Sequence, residues 1–292
     1  MELTPDQAIR QGSKSFALAS LFLPVENRTR VRILYQWCRS CDDLIDEARD
    51  SDDLKRRLEM VLKLSPPEWV NPVHARELIE GFKMDAEGAL FRGFSELELY
   101  CFRVAGVVGL MMCPLIGADP ARADVAASAL GKAMQLTNIC RDVQTDAKMG
   151  RVYLPSDLLL DCLGRSAVPA RELSSEPELA YPVVKRLLQV ADSWYQMGFE
   201  GLRFLPLRCA FAIAVAGLLY QGIGKTLLRN AANDPKRAFR KRTVVSKFEK
   251  SILVFRAIFL VIGSRLPEKS RHHGSMSGSQ RANQEEENLP PL

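Results

Sequence analysis

Apolar side chains recur every three or four positions along most of the chain, which is the spacing of one face of an α-helix. Strict alternation over the length of a strand is absent from the sequence, and so are the Asn-Gly turns typical of hairpins. Prolines separate the periodic segments. The pattern therefore predicts an all-α protein, with helices over residues 5–20, 26–48, 51–64, 73–90, 95–113, 122–146, 178–201, 208–232 and 243–263.

The helical pattern stops at Pro267, where Ser, Gln, Asn and Gly replace the apolar residues and a run of three glutamates follows. Such a segment cannot bury enough apolar area to offset the entropy lost on ordering it. No internal repeat of 20–50 residues suggests a solenoid. We therefore expect one domain over residues 1–266 and a disordered polar tail over residues 267–292.

The composition is that of a folded intracellular protein, since 47% of the 292 residues are hydrophobic and 26% are charged. A net charge of +5 does not indicate a nucleic-acid partner, and no apolar run is long enough to predict a membrane span. The N-terminus does not read as a secretory signal, and the odd number of cysteines, seven, indicates reduced thiols. We expect a cytoplasmic protein and leave peripheral contact with a membrane open.

Two features that could suggest other functions have simpler interpretations. Cys38 and Cys41 form a C-x-x-C pair, but a structural zinc site needs four ligands and the sequence has no second pair, so buried helical cysteines are favoured. The segment from Arg229 to Lys250 contains eight Lys or Arg and two acids. That charge pattern favours a solvated or membrane-facing helix end over a nucleic-acid site.

The most informative pattern is a pair of aspartate motifs that lie about a hundred residues apart in the chain. Each is on a helical stripe that is otherwise apolar or amide-bearing. Asp42 and Asp46 share the helix face of Tyr35. Asp142 and Asp146 continue a second stripe, which also carries Gly131, Gln135 and Asn138. A polar stripe with apolar walls predicts a helix that lines an internal cavity.

Each motif alone would more simply be a solvated helix face. Like charges four residues apart destabilise an exposed helix, however, so the arrangement has no structural benefit there. Two such motifs on facing helices suit Mg²⁺ ions that also bind substrate phosphates, and such ions would neutralise a leaving diphosphate. Polar and basic residues nearby are candidates for phosphate binding, although capping or charge balance could explain each one: Ser13, Lys14, Ser15, Arg39, Arg141, Arg151 and Tyr153.

Several strings together resemble the squalene/phytoene synthase family of trans-isoprenyl diphosphate synthases, and within it the bacterial phytoene synthases. They lie in the same order along residues 10–265 and occupy residues 12–16, 34–39 with the first aspartate motif, 100–109, 135–142, 150–155 and 206–208. The resemblance implies a single-domain isoprenoid synthase helical bundle with a central tunnel. The second motif lacks the family's usual Glu before Asp146, and Phe102 and Arg103 replace the usual Tyr or His.

The resemblance also implies roles for individual residues. The family's metal ligands match Asp42, Asp46, Asn138, Asp142 and Asp146. Its diphosphate contacts match Ser13, Lys14, Ser15, Tyr35, Arg39, Gln135, Arg141 and, less directly, Tyr220. Tyr100 matches a tyrosine of the first half-reaction, so the expected catalytic residues are the four aspartates and Tyr100.

The implied reaction joins two geranylgeranyl diphosphates head to head, through prephytoene diphosphate, to phytoene in carotenoid biosynthesis. It would need Mg²⁺, for which Mn²⁺ could substitute, and no NADPH. Candidate aromatic or polarizable tunnel groups are Phe16, Tyr35, Tyr100 and Met111, of which Tyr100 and Met111 share a helical stripe with Val104 and Val107. Candidate small wall groups are Ala105, Gly109, Ala212 and Ala216, and Gly106 and Gly109 would permit close helix packing.

Three other functions remain open at this point. A family member using farnesyl diphosphate would make squalene, dehydrosqualene or presqualene diphosphate. A terpene cyclase is a different enzyme class, which the strings above disfavour. A non-catalytic relative acting as an assembly factor should have lost its aspartate pairs, whereas both pairs remain here.

Overall fold

A computed structural model of the chain describes residues 14–48 and 50–266, and within these ranges it contains helices and no strands. The first half consists of α1 (Lys14–Ser20), α2 (Val25–Asp46), α3 (Ser51–Lys63), α4 (Pro72–Ala86), α5 (Phe94–Cys101) and α6 (Val107–Leu115). The second half consists of α7 (Pro120–Lys148), α8 (Ser156–Leu163), α9 (Ala170–Ser175), α10 (Tyr181–Glu200), α11 (Leu207–Asn233), α12 (Pro235–Arg240) and α13 (Lys247–Gly263). The all-α prediction is confirmed.

The predicted helix boundaries differ from the observed ones where local turn chemistry decides. The helix predicted over 73–90 ends at Ala86, and Gly88 follows with a positive φ of 66°. The helix predicted to begin at 243 begins at Lys247, because Ser246 caps it and Glu249 returns the capping bond. The short helices α8, α9 and α12 were not predicted, since six to eight residues carry too little periodicity to recognise.

Helix α7 is the centre of the bundle and contacts α6, α9, α10 and α11. Its 29 residues begin with Pro120 at the first helical position, and the Asp119 side chain accepts a hydrogen bond from the Ala121 amide. At 1.5 Å per residue this helix is about 43 Å long, which is long enough to run the depth of the domain.

Two glycines let α7 approach the chain of α5 and α6 at backbone distance. A Cβ atom on Gly131 would lie 2.3 Å from the carbonyl oxygen of Ala105, and one on Gly109 would lie 2.3 Å from that of Ala127. Any larger side chain would have to move a helix backbone. The predicted close approach at Gly109 is therefore confirmed, and Gly131 makes the reciprocal contact.

A π-helical turn, Phe102–Gly106, joins α5 to α6. It inserts one residue into the α-helical register. Such turns are rare in proteins, and those that occur are often found at functional sites. The stripe predicted from Tyr100 through Val107 and Met111 is therefore wrong beyond the turn. Val108 and Met112 line the cavity described below, whereas Val107 and Met111 are buried in the core.

The core is divided into two hydrophobic clusters. One contains α2, α6 and α11 side chains such as Leu34 and Val215, and the other contains α7 and α10 side chains such as Leu136 and Leu187. The two helical stretches Phe94–Leu115 and Leu207–Asn233 are long and apolar enough to cross a membrane by length and composition alone. Because both contribute to these clusters, we interpret them as core helices of the bundle.

The substitution Gly131→Ala should lower the free energy of unfolding by about 1–3 kcal/mol, because the new methyl group overpacks a backbone contact. Chemical denaturation followed by circular dichroism measures the change. Gly263→Ala is the matched control, because its Cβ would meet no atom within 4 Å. Equal stability of the two variants would contradict the packing at Gly131.

Candidate active site

A cavity of about 390 Å³ lies where the two hydrophobic clusters meet. Its walls are mainly aromatic, aliphatic and small side chains from α1, α2, α4 to α7, α10 and α11. The small residues Ala105, Gly109 and Ala216 line it as expected, but Ala212 is buried in the core instead. Phe16, Tyr35 and Tyr100 supply aromatic walls, and the rings of Phe16 and Tyr35 stack at 5.4 Å.

The cavity is polar at one end and apolar at the other. Lining residues on α7 run from Ala123 to Asn138, and the amides Gln135 and Asn138 occur only in the last turn of that stretch. Fifteen residues of α-helix correspond to about 22 Å. On α2 the lining likewise changes from Val31 to Asp42. The C-terminal ends of the α2 and α7 stretches therefore share the polar end.

The first aspartate motif is held by an arginine on its own helix. The Arg39 guanidinium contacts Asp42 at 2.8 Å and Asp43 at 2.5 Å, and Arg39 and Asp42 both line the cavity. Burial, and then the neighbouring Tyr220, raise the pKa of Tyr35 well above its ordinary value. Tyr35 therefore keeps its hydroxyl proton and can donate a hydrogen bond to an anion.

The second motif is paired with two arginines. Arg141 forms a bidentate contact with Asp142, in which the Arg141 Nε donates at 2.9 Å. Arg242 donates to the same carboxylate from Nε at 3.1 Å and from Nη2 at 3.3 Å. Burial alone would raise the pKa of Asp142, but the hydrogen bonds from Arg141 and Arg242 lower it below its ordinary value. Asp142 is therefore ionised at neutral pH.

Asp146, one turn further along α7, has a different electrostatic environment. Burial and then the charge of Asp142 raise the pKa of this carboxyl group to about 7. Arg151 has a smaller, opposite effect. The backbone amide of Arg151 bonds to the Asp146 carbonyl at 2.9 Å, which holds residues 150–153 against the motif. Asp146 therefore binds its proton at a higher pH than Asp142 does.

Asn138 has an unsatisfied side-chain oxygen at this end of the cavity. Its Oδ1 atom is buried with no hydrogen-bond partner, while its Nδ2 donates to Gln135 at 3.5 Å. An unsatisfied buried oxygen beside ionised carboxylates suits a hard cation, which prefers oxygen ligands. Among the residues whose side chains are described, no three His, Cys, Asp or Glu form a cluster that could hold a metal ion.

A tyrosine pair and an aspartate form a second polar group at the same end. The hydroxyls of Tyr100 and Tyr153 donate to the two carboxylate oxygens of Asp85, at 2.9 Å and 2.7 Å. The two rings stack at 5.2 Å, and Phe91 packs against both. Burial, and then the Asp85 charge, raise the pKa of Tyr100 well above its ordinary value. Both tyrosines therefore remain protonated.

The structure brings most of the predicted site residues to one end of the cavity. Those that line it are Tyr35, Arg39, Asp42, Tyr100, Gln135, Asn138 and Tyr220. Asp142, Asp146, Arg141, Arg151 and Tyr153 adjoin that end through the contacts above. Ser15 is buried on α1. Ser13 lies outside the described residues, and so do the side chains of Lys14 and Asp46.

Sequence reasoning missed two residues of this site. Asp85 has no acidic partner at helical spacing, so nothing in the sequence distinguishes it from a surface acid. Arg242 lies in the irregular segment before α13, inside the basic stretch that was interpreted as a solvated or membrane-facing helix end. Its contact with Asp142 joins residues 100 positions apart, which no local pattern reveals.

The chain is similar in sequence to squalene/phytoene synthases and in structure to a dehydrosqualene synthase. The profile described as squalene/phytoene synthase matches residues 9–64 and 61–249. A 15-cis-phytoene synthase from a Paracoccus species is 38% identical over 292 residues, which covers 91% of this chain and 93% of the relative. A 15-cis-phytoene synthase from Enterobacter agglomerans is 34% identical, with 87% and 94% covered. The crystal structure of a dehydrosqualene synthase in complex with ligand matches with a TM-score of 0.75 at 28% identity, and covers 89% of this chain and 95% of that one.

The crowded carboxylates predict how stability depends on pH in EDTA. The pKa of Asp146 is raised to about 7 in the folded state, so its stabilising effect is present below its unfolded pKa and is lost as the pH rises through about 7. Asp146→Asn should therefore raise the unfolding temperature relative to wild type at pH 8 but not at pH 4. Thermal unfolding at both pH values tests this, with Asp161→Asn on α8 as the exposed control. An equal change in unfolding temperature at both pH values would contradict the raised pKa.

Proposed function

Because this chain belongs to the squalene/phytoene synthase family, we propose that it condenses two molecules of geranylgeranyl diphosphate head to head into phytoene. It is a prenyltransferase of isoprenoid biosynthesis, and the relatives named above are phytoene synthases. The observation that carries the proposal is a long apolar cavity whose polar end is shared by the two aspartate-bearing helices. That geometry suits a substrate with a prenyl chain at one end and a diphosphate at the other.

The diphosphates would bind at the polar end. Arg39, Arg141 and Arg242 already bond to carboxylates there, and each guanidinium can turn its remaining N–H donors to phosphate oxygens. Further donors are proposed at Ser13, Lys14, Ser15, Tyr35, Gln135, Arg151, Tyr153 and Tyr220. Magnesium ions, held by Asp42, Asp46, Asn138, Asp142 and Asp146, would neutralise the charge of the leaving diphosphate, and Mn²⁺ could replace them.

The reaction places demands on the cavity that its walls meet. The allylic C–O bond of the first substrate breaks, diphosphate leaves, and the resulting carbocation alkylates the double bond of the second substrate. Loss of a proton closes a cyclopropane ring and gives prephytoene diphosphate. A second ionisation, rearrangement and proton loss give phytoene. Water must be excluded throughout, and the aromatic faces of Phe16, Tyr35 and Tyr100 can stabilise the cations.

Asp85 and its two tyrosines are suited to proton handling at this end. Tyr100 lines the cavity and keeps its proton, which it shares with an Asp85 oxygen at 2.9 Å. Asp85 accepts a second hydrogen bond from Tyr153. A proton that reaches the Tyr100 hydroxyl can therefore pass to Asp85 without entering the apolar part of the cavity. Tyr100 and Asp85 would thus provide the proton-transfer group that is absent at Phe102 and Arg103, where the family usually has Tyr or His.

A farnesyl-using enzyme is the second candidate, because the solved relative of 28% identity is a dehydrosqualene synthase. Small residues at Ala105, Gly109 and Ala216 keep the cavity wall open and favour the longer chain. Each additional buried CH₂ group of substrate contributes about 0.8 kcal/mol where the cavity accommodates it. The farnesyl chain should thus bind more weakly rather than be excluded. An assembly-factor role without catalysis is disfavoured because both aspartate motifs are retained.

The remaining parts of the proposal concern the setting of the reaction. We place the enzyme in the cytoplasm, with peripheral contact with a membrane at the stage of lipophilic product release. No NADPH is required for phytoene formation. The catalytic domain extends to Leu266, and the polar residues 267–292 lie outside it.

Asparagine substitutions at Asp42, Asp46, Asp142 and Asp146 should each lower turnover at least about 100-fold while the fold survives, because each removes a carboxylate that would hold the Mg²⁺ needed to neutralise the leaving diphosphate. Turnover with saturating Mg²⁺ and circular dichroism measure the two effects. Asp161→Asn, on the exposed side of α8, is the matched control. Near-wild-type turnover in two of the four variants would overturn the metal-site assignment.

In a competition between fifteen- and twenty-carbon diphosphates at equal concentration, the forty-carbon product should predominate. Product chromatography, with and without NADPH, measures chain length and reduction state together. A mainly thirty-carbon product would replace the phytoene assignment with the farnesyl alternative. A product that becomes more reduced with NADPH would indicate squalene synthase chemistry.

A further inference from the structure

The outward face of α13 carries a row of exposed apolar side chains. Three phenylalanines on it, Phe248, Phe255 and Phe259, are 76%, 60% and 61% exposed. On a helical wheel they share a stripe within about 40° of one line with two aliphatic residues of the same helix. We call this stripe, together with Leu266 three residues past the end of the helix, the α13 apolar face, and its members are Phe248, Ile252, Phe255, Phe259, Ile262 and Leu266.

The inner side of α13 fixes this orientation. Ala257 and Val261 are fully or almost fully buried against the domain, and α13 packs on α11. The α13 apolar face cannot turn inward without exposing these contacts. It is therefore a fixed surface feature of the fold, and exposed apolar surface of this extent marks an interaction site.

The charges around the α13 apolar face are positive. Arg256 flanks the stripe on one side and Lys247 flanks it on the other, and Arg265 follows two residues past the end of the helix. Glu249 is the acid on this helix, and it is bonded to Arg229 at 2.6 Å. An apolar helix face bordered by basic residues is the pattern of a helix that lies in the surface of an anionic bilayer.

The other occupants of this face fit less well. A second copy of the helix would bring basic flanks against basic flanks, with no acid available to pair across the seam. The residues after Leu266 carry few large apolar side chains, namely Met276, Leu289 and Leu292, so they cannot match a stripe of six. We propose that the α13 apolar face docks on a lipid bilayer that contains anionic headgroups.

Docking by this face would bring the apolar end of the cavity to the bilayer. The Arg265 guanidinium donates to the carbonyl of Leu205 at 2.6 Å, and Leu205 lines the cavity. Leu207, two residues further on, is 63% exposed. This step rests on the proposed function: a hydrocarbon product made in the cavity would leave beside the acyl chains that receive it.

Co-sedimentation of the full chain with vesicles tests the proposal. Wild type should bind equimolar phosphatidylglycerol–phosphatidylcholine vesicles, and bind phosphatidylcholine vesicles much more weakly. Phe255→Glu with Phe259→Glu should weaken binding to the anionic vesicles at least about tenfold. The control, Leu90→Glu with Leu160→Glu, places the same two charges at exposed leucines elsewhere and should bind as wild type does. Circular dichroism confirms that both variants are folded.

A charge variant and a depth probe separate the two parts of the interaction. Lys247→Gln with Arg256→Gln should weaken binding roughly tenfold at low salt and flatten its salt dependence. Phe259→Trp should be quenched by lipids brominated on the acyl chains, which places the side chain below the headgroups. No quenching at saturating vesicle concentration would contradict insertion of this face.

Other results would overturn the proposal in distinguishable ways. Unchanged binding of the Phe255→Glu, Phe259→Glu variant would show that another surface docks. A dimer that dissociates in this variant, with no vesicle binding by wild type, would identify a second copy as the occupant. If only a chain ending at Leu266 bound vesicles, the polar residues 267–292 would be the occupant of the α13 apolar face in the full chain. The Phe255→Glu, Phe259→Glu variant should retain wild-type turnover of detergent-solubilised substrate. If wild type bound vesicles but had no synthase activity, the proposed function would be refuted and the docking proposal would stand.

Discussion

The burial of carboxylates beside an apolar cavity is the constraint on which the rest of this structure depends. An ionised carboxylate is costly to bury unless a positive partner compensates it. Here Arg39 compensates Asp42, and Arg141 and Arg242 compensate Asp142. At Asp146, burial and then the charge of Asp142 outweigh the opposing effect of Arg151, so the pKa of this carboxyl group is raised to about 7. These carboxylates and arginines make one end of an otherwise apolar cavity strongly polar.

The fold provides this arrangement through one long helix and its close neighbours. Helix α7 carries small residues along the cavity wall and amides and carboxylates at its C-terminal end. Contacts through Gly131 and Gly109 bring the chain of α5 and α6 close enough to form the opposite wall. The π turn between those helices then rotates Val108 and Met112 into the cavity. Packing geometry therefore determines which side chains a substrate would meet.

The sequence predicted the helices that repeat their pattern over several turns and the two aspartate stripes, because both signals are local and periodic. It predicted poorly where structure depends on a single extra residue or on a distant contact. The π turn between Tyr100 and Val108 leaves no periodic signal, so the α-helical spacing points to Met111 although Met112 lines the cavity. Asp85 and Arg242 were missed because their roles arise from partners 15, 68 and 100 residues away. Ala216 of α11 lines the cavity and Ala212 does not, because residues 209–219 are uniformly apolar and offer no polar face that would orient the helix in the sequence.

We propose that the two aspartate motifs form one diphosphate site. A double-mutant cycle distinguishes one shared site from two separate ones, with Asp42→Asn and Asp142→Asn made singly and together, and with calorimetric binding of inorganic diphosphate in Mg²⁺ as the measurement. If both motifs act on the same anion, the losses in binding free energy should be non-additive, with a coupling of about 0.5–3 kcal/mol. Losses that add to within about 0.5 kcal/mol would mean that the motifs act independently, and would contradict a single shared site.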